Sequence, residues 1–155
     1  MKVLRNKREK KYLDTKEIQL IDYYDDFNMT LSWYQDPILC KQVDNIDYVY
    51  DLDRLIRMYR YLCENGKCFY IKFGVTIVGD ITLLDNNELA IVVAKEYQNK
   101  KIGRRALEKM IDIAKTDGRK FLKAEIYSFN KQSQRMFESL GFIKKEKDLY
   151  FLNLD

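Results

Sequence analysis

The chain has no histidine in its 155 residues. A Ser-His or Cys-His nucleophile pair is therefore excluded, and any zinc site would lack its commonest nitrogen ligand. Proton transfer falls instead to Asp, Glu, Tyr, Lys or water. Cysteine is scarce as well. Cys40, Cys63 and Cys68 are odd in number and show no metal-binding spacing, which suits reduced thiols in the cytosol. No stretch approaches the apolar run of about eighteen residues that a membrane span needs. Residues 1–11 are charged with nothing apolar behind them, so no secretory signal is expected and the protein is read as cytoplasmic. No composition shift marks a linker, and one domain over residues 1–155, with a flexible basic arm at 1–11, is the expectation.

Charge is present but segregated. Between residues 14 and 53 ten acids face two lysines, whereas between 95 and 147 fifteen basic residues face seven acids. This asymmetry points to a phosphorylated ligand on the C-terminal half and a cationic one near the N-terminal half; the alternative is two solvated faces.

The most informative stretch is residues 91–114. Ile91-Val92-Val93-Ala94 reads as a buried strand, residues 95–103 as a loop, and Arg104 and Arg105 open a helix. Ala106, Leu107, Met110, Ile111, Ile113 and Ala114 recur at three- and four-residue intervals and give that helix one apolar face. A helix start leaves backbone N–H groups unpaired. Beside Lys100, Lys101, Arg104 and Arg105 these form an anion site suited to a pyrophosphate, unless the loop is an ordinary turn with solvated lysines. A second segment runs from Asn130 through Ser133 and Phe137 to Gly141-Phe142. Asparagine caps its helix, Met136, Phe137 and Leu140 share a face, and Gly141 provides a left-handed stop.

Together these segments resemble the GNAT superfamily of N-acetyltransferases. Gln98 and Gly103 fall at the first and last positions of its acetyl-CoA loop, [QR]-x-x-G-x-[GA], with Lys101 where the first glycine usually stands. Residues 130–142 resemble its N-x-x-[SA]-x-x-x-[YF]-x-x-x-G-F segment. The resemblance is good over residues 75–142. It implies an α+β fold, a twisted mixed sheet of six or seven strands with helices on both faces, and acetyl-CoA as co-substrate without a metal. It also implies a coenzyme site made by Ile91, Val92, Val93, Gln98, Asn99, Lys100, Lys101, Ile102, Gly103, Arg104, Asn130, Ser133 and Phe137. A lysine at the glycine position requires either a left-handed residue or a different loop path.

The remaining chain reads as a strand at 16–21, a helix at 24–34 ended by Trp33-Tyr34-Gln35-Asp36-Pro37, and a second helix at 51–65 stopped by Asn65-Gly66. Strands follow at 69–73, 78–84 and 89–93, then at 121–127, 143–147 and 149–154. The Trp-x-x-Asp-Pro turn is similar to one in the Rim-type branch, the acetylases of ribosomal-protein N-termini and related amines. In the resemblance, the first two helices border the acceptor groove, and strands 89–93 and 121–127 splay to admit the pantetheine arm.

Amine acetylation needs a base, because an ammonium must lose a proton before it attacks. Glu125 is the first candidate: strand alternation sets it and Tyr127 opposite Ala124, Ile126 and Ser128, and Rim-type enzymes resemble this chain in placing Glu five residues before the asparagine. Glu88 is the alternative base. Phe137 stands where the family usually has the tyrosine that protonates the departing thiolate, so Tyr127, Tyr150 or water must substitute, or the protein binds acetyl-CoA with little turnover. The expected acceptor is a primary amine, either a protein N-terminus or a small cationic amine, handled by a monomer or homodimer. A nucleic-acid-binding role for the basic half is the weaker alternative, since its cations are mixed with acids and its aromatics do not interleave with a basic groove.

Overall fold

The computed structural model describes residues 16–155; the expected basic arm at 1–11 lies outside them. Seven strands and five α-helices follow one another as β1 (Ile18–Asp22), α1 (Phe27–Trp33), α2 (Pro37–Asp44), α3 (Leu52–Asn65), β2 (Gly66–Phe73), β3 (Thr76–Leu84), β4 (Leu89–Val93), α4 (Ile102–Thr116), β5 (Phe121–Glu125), α5 (Lys131–Ser139), β6 (Ile143–Glu146) and β7 (Leu149–Asn153). The expected sheet is present in two antiparallel parts, β1-β2-β3-β4 and β5-β7-β6. They meet at a parallel bridge between Glu88 and Lys123, where the Lys123 N–H donates to the Asn87 carbonyl at 3.0 Å. Beyond it β4 and β5 part, as anticipated.

Capping explains most of the helix starts. Asp26, Asp36, Asp51 and Asn130 each accept a hydrogen bond from a first-turn N–H of α1, α2, α3 and α5, a contact that typically contributes about 1 kcal/mol. Both expected helix ends are present: α1 stops at Trp33, ahead of Pro37, and α3 stops at Asn65. What the sequence reading left out is what begins there. Pro37 also occupies the first turn of α2, where its missing N–H costs nothing and Asp36 supplies the cap. Gly66, with an extended φ of −176°, also opens β2. A Cβ there would lie 2.5 Å from the Leu83 carbonyl oxygen, so close strand contact is what requires glycine.

The β1–β4 sheet divides the core in two. Ile71, Phe73, Ile81 and Leu83 pack with Ala106, Leu107, Met110 and Ala114 of α4, the face read from periodicity. On the other side Tyr70, Leu84 and Val92 pack with Trp33, Tyr34, Leu39, Leu55, Tyr59 and Leu62 from α1 to α3. Each fully buried aliphatic contributes about 1.5–3 kcal/mol. The sheet is thereby clamped from both faces while the gap beside β4 stays open. No helix among the described residues is long and apolar enough to cross a membrane.

Candidate active site

The residues nominated from sequence converge on one cavity of about 590 Å³ that occupies the gap between β4 and β5. Glu88, Glu125, Ile91, Val92, Val93, Gln98, Asn99, Lys101, Ile102, Gly103, Arg104, Asn130, Ser133 and Phe137 all border it. Lys100 does not; its ammonium lies over the Tyr97 ring, 5.5 Å from the centroid.

At one end stands the start of α4. It is the one α-helix among the described residues whose N-terminus has no side-chain cap. The first helical hydrogen bond runs from Arg105 N–H to the Lys101 carbonyl, so the N–H groups of Ile102, Gly103 and Arg104 have no intrahelical acceptor. Lys101 itself is left-handed, with φ 62° and ψ 12°. The lysine therefore adopts the conformation for which glycine is the usual choice. Asn99 is left-handed too, at φ 62°. The side-chain amide of Gln98 donates to the Val93 carbonyl at 2.9 Å and ties the loop to the end of β4. Gly103 sits under α5, where a Cβ would come within 3.0 Å of the Met136 sulfur. Of the two arginines, Arg104 borders the cavity, while Arg105 turns away to donate to the Lys16 carbonyl at 2.6 Å.

Strand register decides which β4 amides face the gap. Leu84 N–H donates to the Glu88 carbonyl and Ala94 N–H to that of Val78, so even-numbered residues of β4 spend their backbone groups on β3. In an antiparallel ladder the alternate residues point outward. Ile91 and Val93 therefore present backbone groups to the gap, with the Val93 carbonyl taken by Gln98. Val92, opposite Asp80 in the ladder, lines the cavity with its side chain instead.

The carboxylates gather at the middle and far end. Glu125 is exposed and Glu88 half-buried. Burial, then the Glu125 charge, raise the Glu88 carboxyl above its usual range. Tyr127 borders the same space. Burial first and the Glu125 carboxylate second push its hydroxyl up to about 12. It thus stays protonated, able to hydrogen-bond a thiolate but too weak an acid to transfer its proton outright to a thiolate whose conjugate thiol has a pKa of about 8.5. Tyr150 lies in the core away from the cavity. Phe137 is buried edge-on against Phe142, with centroids 5.0 Å apart.

Asp80 is the residue the sequence reading missed. It is 2% exposed on β3, borders the cavity, and accepts hydrogen bonds from the hydroxyls of Tyr34 at 3.0 Å and Tyr59 at 2.8 Å. Burial raises its carboxyl to about 6, against the lowering effect of the two tyrosines. A single acid inside the apolar run from Ile77 to Leu84 was the available signal, because a buried charge carries a cost that needs a reason. The acid-rich N-terminal segment, by contrast, is largely spent on structure. Asp26, Asp36 and Asp51 cap helices, Asp47 and Asp53 pair with Lys41 and Arg57, and Asp44 reaches the cavity wall.

The comparisons agree with this geometry. The sequence profile of the Acetyltransferase (GNAT) family matches residues 17–142. No curated protein matches the chain significantly. Among solved structures, a domain from Methanocaldococcus jannaschii is similar at 24% identity and a TM-score of 0.80, over 89% of this chain and 99% of that one. Spermidine N-acetyltransferase from Vibrio cholerae, in complex with CoA and spermine, is similar at 15% identity and 0.75, over 88% and 95%. The yncA protein of Salmonella typhimurium, with its cofactor acetyl-CoA, is similar at 23% identity and 0.67, over 91% and 95%. At these identities the structures speak to the fold alone, and the family is carried by the profile and by the motifs seated around the gap: this chain belongs to the GNAT family of acetyltransferases.

Proposed function

We propose that the protein is an N-acetyltransferase that moves an acetyl group from acetyl-CoA to a primary amine by direct attack in a ternary complex. One observation carries the reading. A single cavity joins the uncapped start of α4 to a chamber of carboxylates and tyrosines beneath α2 and α3, with the unpaired edge of β4 between them. A helix start with free N–H groups fits a diphosphate. The edge amides of Ile91 and Val93 fit the pantetheine and the thioester oxygen, whose developing charge an N–H would stabilise. Asn130, Ser133 and Phe137 close the coenzyme side from α5.

On the acceptor side Glu125 takes one proton from the ammonium, with Glu88 as the alternative base. The freed nitrogen then attacks the carbonyl carbon, the C–S bond breaks, and the second nitrogen proton ends on sulfur, with Tyr127 able to hydrogen-bond the thiolate. The acceptor is a protein N-terminus or a small cationic amine. Glu125 and the Trp33-to-Pro37 turn favour the Rim-type branch, and the composition favours the cytoplasm. The V. cholerae neighbour, bound to CoA and spermine, is consistent with an amine acceptor.

The test is calorimetric titration with acetyl-CoA followed by thiol release over an amine panel. Binding with turnover supports the enzyme. Binding without turnover on any amine would favour the second reading, a coenzyme-binding module in which Phe137 has cost the protein its acid, and no binding would remove both.

A further inference from the structure

The two aspartates at the acceptor end of the cavity are not equivalent. Asp44 already has a cation, the Arg54 guanidinium at 3.1 Å, and accepts a hydrogen bond from Tyr50. Asp80 has no ion-pair partner among the described residues. Both tyrosine hydroxyls that reach it donate to the same oxygen, Oδ2. The other oxygen, Oδ1, has no hydrogen-bond partner among the described residues. Nor is it one of the sealed, partnerless atoms, which are Thr82 Oγ1 and Asp148 Oδ1. It therefore opens on the cavity that Asp80 borders. A carboxylate withdrawn from water is costly unless a counter-charge joins it. Here the described residues supply no such counter-charge, and the free oxygen faces the cavity.

We propose that Asp80 Oδ1 docks a second ammonium group of the acceptor, one that stays protonated while another nitrogen attacks, so that the acceptor is an alkyl diamine or a longer amine of that kind rather than a protein N-terminus. This rests on the acetyl-transfer reading above and names its acceptor class. Position separates the two nitrogens. Asp80 faces Val92 across the β3–β4 ladder, on the side of β4 away from the β5 gap where Glu88 and Glu125 stand. Pairing with a carboxylate favours the protonated amine. That would hold back a nitrogen that must attack as free base, but it suits one that serves as a handle. Leu39, Met58, Leu62 and Leu84 on the chamber wall match an alkyl spacer. Tyr34 and Tyr59 fix the carboxylate before the ligand arrives, which lowers the ordering cost of binding. The second ammonium takes no part in the bond changes and leaves with the amide product.

The experiment compares thiol release from acetyl-CoA with diaminobutane, butylamine, aminobutanol and an uncharged-bodied peptide bearing a free N-terminus, for the wild type and Asp80→Asn. Acetyl-CoA affinity, and the affinity of diaminobutane for the CoA-loaded protein, are followed by calorimetry. The wild-type kcat/KM for diaminobutane should exceed that for butylamine or aminobutanol by about tenfold or more. In Asp80→Asn that ratio should fall to near one, with diaminobutane binding lost and acetyl-CoA affinity retained. Equal handling of diamine and monoamine by the wild type, a preference that survives in the variant, better acetylation of the peptide, or no diamine binding to the CoA-loaded protein would each overturn the role of Asp80 while acetyl-CoA still binds. Failure of the wild type to bind acetyl-CoA would instead overturn the functional reading beneath it. The wild-type comparison decides the matter even should the variant fail to fold.

Discussion

The Gln98 side-chain amide donates to the Val93 carbonyl at 2.9 Å, closing the loop ahead of α4 against the strand that precedes it. The bond removes one of the few β4 acceptors facing the gap and curls the chain so that α4 begins with its amides exposed. Gln98→Ala should weaken acetyl-CoA binding by about three- to tenfold, the worth of one hydrogen bond of this kind, with little change in melting temperature. Calorimetry on the purified variant checks it; unchanged affinity would mean that the loop holds its path without the tether.

Lys101 carries a left-handed backbone that costs a non-glycine residue roughly 1–2 kcal/mol. Lys101→Gly relieves this but frees the unfolded chain by a comparable amount, so stability should move by no more than about 1 kcal/mol. The first-turn N–H groups remain, and acetyl-CoA affinity should fall only by the loss of one exposed cation. Lys101→Val should destabilise clearly, because a β-branched residue resists that region. Urea unfolding of the pair distinguishes backbone conformation from charge.

Glu125→Gln should flatten the alkaline-rising limb of the kcat/KM profile and lower the rate by about a hundredfold or more, as expected when a general base is lost. Glu88→Gln should do less. Should Glu88→Gln flatten the profile and Glu125→Gln leave it intact, the two roles are exchanged.

Phe137 is packed edge-on against Phe142 in the core beside the cavity. Phe137→Tyr should raise turnover at most several-fold, because a thiol of pKa near 8.5 already leaves tolerably as thiolate. A gain of several orders of magnitude would show that the natural chain is not chiefly an acetyltransferase.

Asp80 gives a pH signature in stability. Its carboxyl is raised from 3.8 to about 6 in the folded protein, so between those values the native state holds more protons than the unfolded one. Stability from this group is then fully present below about 3.8 and is lost as pH rises through about 6. Relative to Asp80→Asn, whose side chain does not titrate, the wild type should lose up to roughly 3 kcal/mol between pH 4 and pH 7. Urea unfolding at both pH values measures it, and a wild-type-to-variant difference independent of pH would contradict the burial of an uncompensated charge.

The sequence by itself determined what depends on neighbours a few residues apart. The alternation of β4, the apolar face of α4, the Asn130 cap and the phosphate-sized loop are local patterns, set by backbone geometry and readable before any tertiary contact is known. Local reading was incomplete where one residue serves two grammars. Pro37 follows the end of α1, as read, and is also the first residue of α2. Gly66 follows the end of α3, as read, and is also needed because Leu83 lies against it.

The tertiary structure alone decided which carboxylates stand at the proposed acceptor end of the cavity. Asp80 draws its partners from 46 and 21 residues away. The choice of Ile91 and Val93 over Val92 as edge amides follows from the β3–β4 register, which no window of sequence contains. The acidic segment suggested a cationic ligand, but most of its charges cap helices or pair at the surface, and a buried carboxylate without an ion-pair partner among the described residues comes instead from a central strand. Periodicity and capping are properties of contiguous chain. Which buried charge faces a void is a property of long-range packing, and it is settled only when distant elements close around it.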